Sequence, residues 1–295
     1  MTPPSSLYHL TGEEAPPSPV LVVALDGWVD AGLAGATAMT SLLEAVDTRP
    51  YAVFDSEELL DQRARRPQLK IIDGISEELD WPQVILRVGT DRLGSGIALL
   101  AGPEPDMRWR SFSEAVAELA SALEVRLMVG FGGFPAGAPH TRPVKLAATA
   151  SDSQLAQQIG FVSGAIEVPA GIQAAIERAC SGKGIPSVGL WARVPHYVAA
   201  MPFPAASLAL LDGLAGLSGL VIDSDVLAEA AEGARRKVDE LIAQSGEHQA
   251  MVRQLEQQID ELEGAPLPFE SRPVPSGDEI AAELERYLRG ESTDG

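Results

Sequence analysis

The 295-residue sequence predicts an α/β fold in which a mainly parallel sheet is flanked by helices. Residues 20–25 form a continuous apolar run, as expected of a strand that is buried on both faces. Short β-like runs then alternate with helical patterns as far as residue 222, which favours parallel strands joined by helices. Hydrophobic residues make up 45% of the chain, enough to bury a sizeable core.

The individual elements follow from these patterns in chain order. After the strand at 20–25, an Ala- and Leu-rich stretch predicts a helix over 33–46. Another helix is predicted over 111–123, because apolar residues recur there on one face. Further strands are predicted at 51–54, 70–72, 84–88, 97–100, 126–131, 144–149 and 187–191, and further helices near 171–179 and 205–217.

The character of the sequence changes at residue 223. Residues 223–295 hold 18 acidic and 7 basic residues, more than half of the net charge of −20. Eight residues with alternating three- and four-residue spacing form a heptad-like seam, which predicts a helix or helical pair packed on its own body or on a neighbouring subunit. They are Val238, Leu241, Ser245, His248, Val252, Leu255, Ile259 and Leu262. We therefore divide the chain into an α/β core (1–222), a helical segment (223–263), and a Pro-rich connector with a short terminal helix (264–295).

Charge and composition exclude several classes of protein. A net charge of −20 and a pI near 4.5 oppose binding to nucleic acid or to an anionic membrane surface. No apolar stretch reaches the roughly 20 residues of a transmembrane helix, and the N-terminus lacks a signal-peptide pattern, so we expect a cytoplasmic protein. The single cysteine, Cys180, cannot form an intramolecular disulfide and is expected to be a buried or half-buried helix residue.

Four unusual loops follow predicted strands, and they span 26–32, 102–109, 130–143 and 193–197. If these strands are parallel, the loops share one rim of the sheet, where ligands bind in folds of this kind. We therefore predict a common ligand-binding cleft. Its candidate residues are Asp26, Trp28, Asp30, Glu104, His140, Thr141, Arg142, His196 and Tyr197.

Several of these residues also have a purely structural interpretation. Asp26 and Asp30 suit the N-terminus of the helix that begins near residue 31, where carboxylates are favoured. Glu104, between two prolines, is either a general base or metal ligand, or a turn residue that holds backbone N–H groups. His140 and Arg142 together suit an anion, whereas the His-Tyr pair at 196–197 is alternatively a structural corner.

No familiar catalytic signature decides between these interpretations. The sequence has no Walker A loop, no complete dinucleotide-binding fingerprint and no nucleophile elbow. It also has no His pair at i and i+4 and no close Cys/His cluster, so we predict no metal site. These patterns name neither a catalytic residue nor a cofactor.

Taken together, the same loops resemble the PAC2 (proteasome assembly chaperone 2-like) family in its actinobacterial form. The resemblance runs in order through residues 8–262. The matching pieces are Asp26-Gly27-Trp28-x-Asp30-Ala31-Gly32, Arg66-Pro67, Asp73-Gly74, Trp81-Pro82, Gly102-Pro103-Glu104-Pro105-Asp106-x-Arg108-Trp109, Pro139-His140-Thr141-Arg142-Pro143, Pro169-x-Gly171-Ile172 and Leu190-Trp191-Ala192-x-Val194-Pro195-His196-Tyr197.

This resemblance implies an α/β core similar to phosphorylase- or hydrolase-like folds, with an appended helical segment. It also implies homo-oligomers, of which a trimer is one expected form. The family's eukaryotic members are chaperones for assembly of the proteasome core. Proteasome-docking members of the wider group use a C-terminal hydrophobic-Tyr-x tail, whereas residues 291–295 here read Glu-Ser-Thr-Asp-Gly, so docking by that route is not expected.

We therefore expect a non-enzymatic interaction or assembly protein, chaperone-like, that works as a homo-oligomer and has a protein partner. The alternative is an enzyme or small-molecule sensor, ligase-like or phosphorylase-like, with a ligand in the predicted cleft. The His and Arg side chains of that cleft would suit a nucleoside, a phosphate or a carboxylate.

Overall fold

The computed structural model describes residues 6–27, 29–162 and 164–264, and it confirms the α/β class. In chain order the strands are β1 (Tyr8–Leu10), β2 (Val20–Asp26), β3 (Thr48–Phe54), β4 (Gln68–Ile72), β5 (Ile75–Asp80), β6 (Ile85–Thr90), β7 (Gly96–Pro103), β8 (Leu127–Ala136), β9 (Leu146–Ala150) and β10 (Ser187–Pro195). The helices are α1 (Ala34–Ala45), α2 (Ser56–Leu59), α3 (Trp109–Ala122), α4 (Ser153–Ile159), α5 (Ile172–Gly182), α6 (Pro204–Ser218), α7 (Asp225–Ala243) and α8 (Gly246–Gly264). Of the helices described, none is long and apolar enough to cross a bilayer.

The central sheet has eight strands, and its parallel strands lie in the middle. The strand order is β1-β3-β6-β7-β2-β8-β10-β9. β7, β2, β8 and β10 run parallel, while β6, β3 and β1 on one side and β9 on the other pair antiparallel. The parallel strands therefore end together at one edge of the sheet, near Asp26, Pro103, Ala136 and Pro195. We call this the carboxyl edge.

The sheet is buried on both faces, as the apolar run at 20–25 predicts. Val20 and Val22 belong to the core cluster that contains α1 and α6, and Leu21 and Val23 belong to the one that contains α3 and α5. Cys180, in α5, is fully buried in the second cluster. Burial raises the pKa of its thiol to about 12, so this cysteine is an unreactive packing residue.

The acidic segment after residue 223 is a helical pair that packs on its own body. Leu227 and Val238 of α7 belong to the same core cluster as α6, and Val252 and Leu255 of α8 are buried. The two helices meet near Ser245, so the heptad-like seam is interrupted there. Residues 265–295, which hold most of the predicted connector and the predicted terminal helix, lie outside the described residues.

Strands β4 and β5 form a separate two-stranded sheet that we call the hairpin arm (residues 68–80). Its turn residues, Asp73 and Gly74, both have positive φ, as a tight hairpin turn requires. All five residues of β4 and all six of β5 are exposed. The exposed large apolar side chains of the arm are Leu69, Ile71, Ile72, Ile75 and Leu79.

Candidate functional site

A cavity of about 790 Å³ lies at the carboxyl edge, beside the ends of β2 and β8 and the start of α5. Its apolar wall includes the rings of Phe131, Phe134 and Trp191. The Trp191 ring lies flat over β8, since a Cβ at Gly132 would come within 2.4 Å of it. The glycine-rich run in β8 therefore provides space for a wall residue of the cavity.

Asp30 lies in the cavity wall and caps helix α1. Its Oδ1 accepts the N–H of Gly35 at 2.7 Å, and its Oδ2 accepts the N–H of Ala36 at 2.9 Å. Burial raises the pKa of its carboxyl, although these amide hydrogen bonds act in the opposite direction. Of the two interpretations of Asp30 drawn from the sequence, helix capping is the one that these contacts display.

Glu104 acts in the same way at a second helix. Its side chain is buried, and its Oε1 accepts the N–H of Ile172, the first residue of α5, at 2.7 Å. Gly27 makes room for this carboxylate, because a Cβ at that position would lie 2.2 Å from Oε2. The interpretation of Glu104 as a residue that holds backbone N–H groups therefore describes its contacts.

Asp26 and Glu177 complete the acidic lining of the cavity. Asp26 lies at the mouth, where the cavity adjoins a second hollow lined by Arg65 and Trp109. Burial raises the pKa of Asp26, and the positive charge of Arg65 opposes that rise. Glu177 accepts a hydrogen bond from the Thr149 hydroxyl at 3.0 Å, and burial raises its pKa as well.

Sequence reasoning missed Glu177 as a cavity residue. No local motif marks it, because it lies in the middle of a helix, α5, for which the sequence showed no functional pattern. Its position becomes evident only from the fold, which packs α5 against β8 and β10.

The remaining candidates lie away from the cavity, against the helical segment. The imidazole Nε2 of His140 is 3.0 Å from Asp239 in α7, and the Thr141 hydroxyl donates to Glu256 in α8. Arg142 forms ion pairs with Glu256 and with Asp260, the latter at 2.9 Å. These side chains hold α7 and α8 on the body of the protein.

Tyr197 supports this cluster through two contacts with His140. Its hydroxyl accepts the backbone N–H of His140 at 2.8 Å and lies 2.6 Å from Nδ1 of the same residue. Burial raises the pKa of Tyr197 to about 12, so the hydroxyl keeps its proton. Through its two ring nitrogens, His140 therefore links Tyr197 to Asp239 of α7.

The candidates thus form two groups instead of one cleft. Asp26, Asp30 and Glu104 meet at the cavity, whereas His140, Thr141, Arg142 and Tyr197 meet α7 and α8. The exposed His196 lies beside Tyr197, with ring centroids 5.4 Å apart. Trp28 lies outside the described residues. The physical reason for the division is that β8 extends to Ala136, five residues beyond its predicted end, and pairs there with Pro195 of β10. The loop that carries His140, Thr141 and Arg142 therefore begins beyond the level at which β2 ends at Asp26.

Within the described ranges, no three His, Cys, Asp or Glu side chains are grouped as a metal site. Ligand binding by the residues around the cavity stays a prediction.

Comparison with solved structures supports the fold strongly. A Mycobacterium tuberculosis protein of unknown function is 36% identical, with a TM-score of 0.82, over 88% of this chain and 92% of that one. A second M. tuberculosis protein, described as a proteasome-assembly chaperone homologue, is 35% identical, with a TM-score of 0.73, over 79% of this chain and 99% of that one. Pyrococcus furiosus PbaB, an archaeal proteasome activator, shares the fold at 14% identity, with a TM-score of 0.60, over 79% of this chain and 97% of that one.

The comparison with curated proteins found no match. The PAC2 family profile, in contrast, matches residues 24–242, which include the carboxyl edge and α7. This match confirms the resemblance carried by the loop motifs, and the chain belongs to the PAC2 family.

Proposed function

We propose that this PAC2 protein acts as a chaperone-like homo-oligomer that binds other proteins during their assembly. The relative described as a proteasome-assembly chaperone homologue supports this role, because it is 35% identical over most of this chain. The oligomer and the absence of catalysis are part of the proposal. The oligomer is inferred from the exposed apolar surface of the hairpin arm, and the absence of catalysis from the contacts at the carboxyl edge.

The hairpin arm is the observation that carries the oligomeric part of the proposal. A two-stranded sheet is marginally stable in water unless it packs against something. Here every strand residue is exposed, including Ile71 at 59% and Ile75 at 65%. Contiguous exposed apolar side chains of this kind are typical of a surface that is covered by protein.

A second copy of the chain is the occupant that we assign to the hairpin arm. In a closed symmetric oligomer each copy buries its own arm against a neighbour, so no arm is left in water. The acidic and lysine side chains that alternate with the apolar ones in the arm would then lie at the rim of the contact, where charged residues are tolerated.

The alternative, an enzyme or sensor for an anionic ligand, has less support. The His140 and Arg142 side chains, which would have bound the anion, are engaged with acidic residues of α7 and α8. At the carboxyl edge, the amides at the starts of α1 and α5 already bind Asp30 and Glu104. A phosphate or carboxylate would have to displace the chain's own carboxylates.

Native mass spectrometry on the full chain isolated from its own cells tests the proposal. We expect wild type to be a homo-oligomer, and Ile75→Asp to fall to the protomer mass, because a buried unpaired carboxylate disfavours the contact. Leu93→Asp is the matched control, since Leu93 is 75% exposed outside the arm and should keep the oligomer. A monomeric wild type, or an unchanged Ile75→Asp oligomer, would overturn the oligomeric part.

The proteins that co-isolate with the chain in the same preparation test the assembly role. A chaperone is expected to co-isolate with unassembled subunits of a larger complex and to be absent from the finished complex. Stable retention in the finished complex would identify a structural subunit instead, and a wild-type oligomer without any bound protein would count against the assembly role.

A further inference from the structure

The cavity at the carboxyl edge is unusually acidic for an apolar pocket. Of the charged side chains that the described residues contribute to its wall, four are carboxylates and one is a guanidinium. The carboxylates are Asp26, Asp30, Glu104 and Glu177, and the guanidinium is that of Arg178. The wall therefore carries a formal surplus of negative charge, which favours a positively charged occupant.

Two of these carboxylates also block the places where an anion would bind. A helix N-terminus attracts anions because its first amides are unpaired and its dipole is positive there. Asp30 takes the amides of Gly35 and Ala36 at the start of α1, and Glu104 takes that of Ile172 at the start of α5. The fold's natural anion sites at this edge are thus filled by the chain itself.

The other two carboxylates, those of Asp26 and Glu177, together make fewer hydrogen bonds. Glu177 accepts one hydrogen bond, from the Thr149 hydroxyl, and among the described residues no hydrogen bond to the Asp26 carboxylate is found. Burial raises the pKa of both groups, although Arg65 acts in the opposite direction on Asp26 and Arg178 does so on Glu177. A further cationic group beside these carboxylates would offset the cost of burying their charge.

The apolar side chains of the cavity wall indicate which uncharged part a bound molecule would have. Phe131, Phe134 and Trp191 present aromatic surface, which attracts cations as well as apolar groups. The buried Nε2 of Gln173, in the same wall, has no hydrogen-bond partner among the described residues. This nitrogen is a donor, so an acceptor atom on the body of a bound molecule would satisfy it. The volume of about 790 Å³ is that of a small-molecule site.

We propose that this cavity binds a small organic cation, namely a protonated amine carried on an apolar or aromatic body. The amine would lie near Asp26 and Glu177, and the body would lie against the aromatic wall. A metal ion is a poorer fit, because the described residues offer no group of three metal-ligating side chains. The site is separate from the hairpin arm, so it does not depend on the proposed oligomer.

Calorimetric titration with three indole compounds of similar shape tests the charge preference. Tryptamine carries an ammonium group, tryptophol a neutral hydroxyl group and indole-3-propionate a carboxylate. We expect saturable binding of tryptamine at neutral pH, binding of tryptophol that is weaker by about tenfold, and no binding of the carboxylate. Absence of saturable tryptamine binding, equal affinity for tryptophol, or tighter binding of the carboxylate would overturn the proposal.

Substitutions locate the binding site. Asp26→Asn and Glu177→Gln should each weaken tryptamine binding by about tenfold while tryptophol binding stays constant, since only the ammonium group loses a charged partner. Asp212→Asn, at an exposed position in α6, is the matched control and should bind like wild type. Melting temperatures establish that each variant is folded. If both cavity variants bound tryptamine like wild type, the compound would be binding elsewhere and the assignment would be wrong.

Discussion

The carboxylates of the carboxyl edge differ in what they contact, and this decides how each one affects stability. Asp30 and Glu104 each bind backbone amides of a helix, so removing either one leaves buried donors unpaired. Asp26 stabilises no such group among the described residues. Burial raises its pKa, so the charged form of Asp26 lowers the stability of the folded state.

Asp26→Asn should raise the melting temperature at neutral pH. Burial raises the pKa of Asp26, so the folded state holds the proton more tightly than the unfolded state. Stability contributed by this group is then greatest at low pH and is lost as the pH rises through the folded pKa. The gain from the neutral amide should accordingly shrink as the pH is lowered towards 4, which scanning calorimetry would detect. A lower melting temperature for the variant at neutral pH would contradict this assignment.

At the scale of elements, the heptad-like seam divides into positions that pack and positions that do not. Leu255 is 9% exposed and approaches the backbone at Gly137, whereas Leu241 is 53% exposed. The two leucines share the same spacing pattern, so the pattern alone does not distinguish them. The break between α7 and α8 near Ser245 changes the direction of the chain and ends the common face.

Leu255→Asp should destabilise the protein by about 3 kcal/mol, because it places an unpaired carboxylate in a buried contact. Leu241→Asp is the matched control and should change the free energy of unfolding by less than about 0.5 kcal/mol, as exposed positions usually do. Urea unfolding of the two variants measures both values. Equal losses would mean that the seam is one continuous interface.

Elements buried on both faces were predictable from the sequence, whereas most of the short exposed elements were not; of the two exposed strands of the hairpin arm, β4 was predicted and β5 was not. β2 and α1 lie within a residue or two of their predicted limits. Their buried faces produce the apolar runs and helical periodicity from which such elements are predicted. β1, β5, α2 and α4 were not predicted, since they are short and most of their residues are exposed or half-buried. The loop residues of the candidate site were identifiable as unusual, but their grouping depends on the length of β8, which the sequence does not reveal.

On the scale of the whole molecule, charge and apolar surface act against each other. Each chain carries a net charge of −20, so copies repel one another at long range. The exposed apolar side chains of the hairpin arm favour their association at short range. The balance between the two should depend on ionic strength, since salt screens the first effect and leaves the second nearly unchanged.

The proposed homo-oligomer should therefore become more stable as NaCl is raised from about 0.01 to about 0.15 M, a range over which the Debye length falls from about 30 to about 8 Å. Sedimentation velocity at several protein concentrations would measure this as a decrease in the dissociation constant. Weakening by salt would instead mean that ion pairs between subunits hold the oligomer together, and the apolar arm would no longer be its main contact.

The carboxylates of Asp30 and Glu104 act as anions that the protein supplies to its own helices. Each one lies at a helix start at the carboxyl edge, where an open α/β sheet commonly binds the phosphate group of a ligand. Replacing both acids with glycine would leave the amides at these helix starts unpaired and open to an anion from solution.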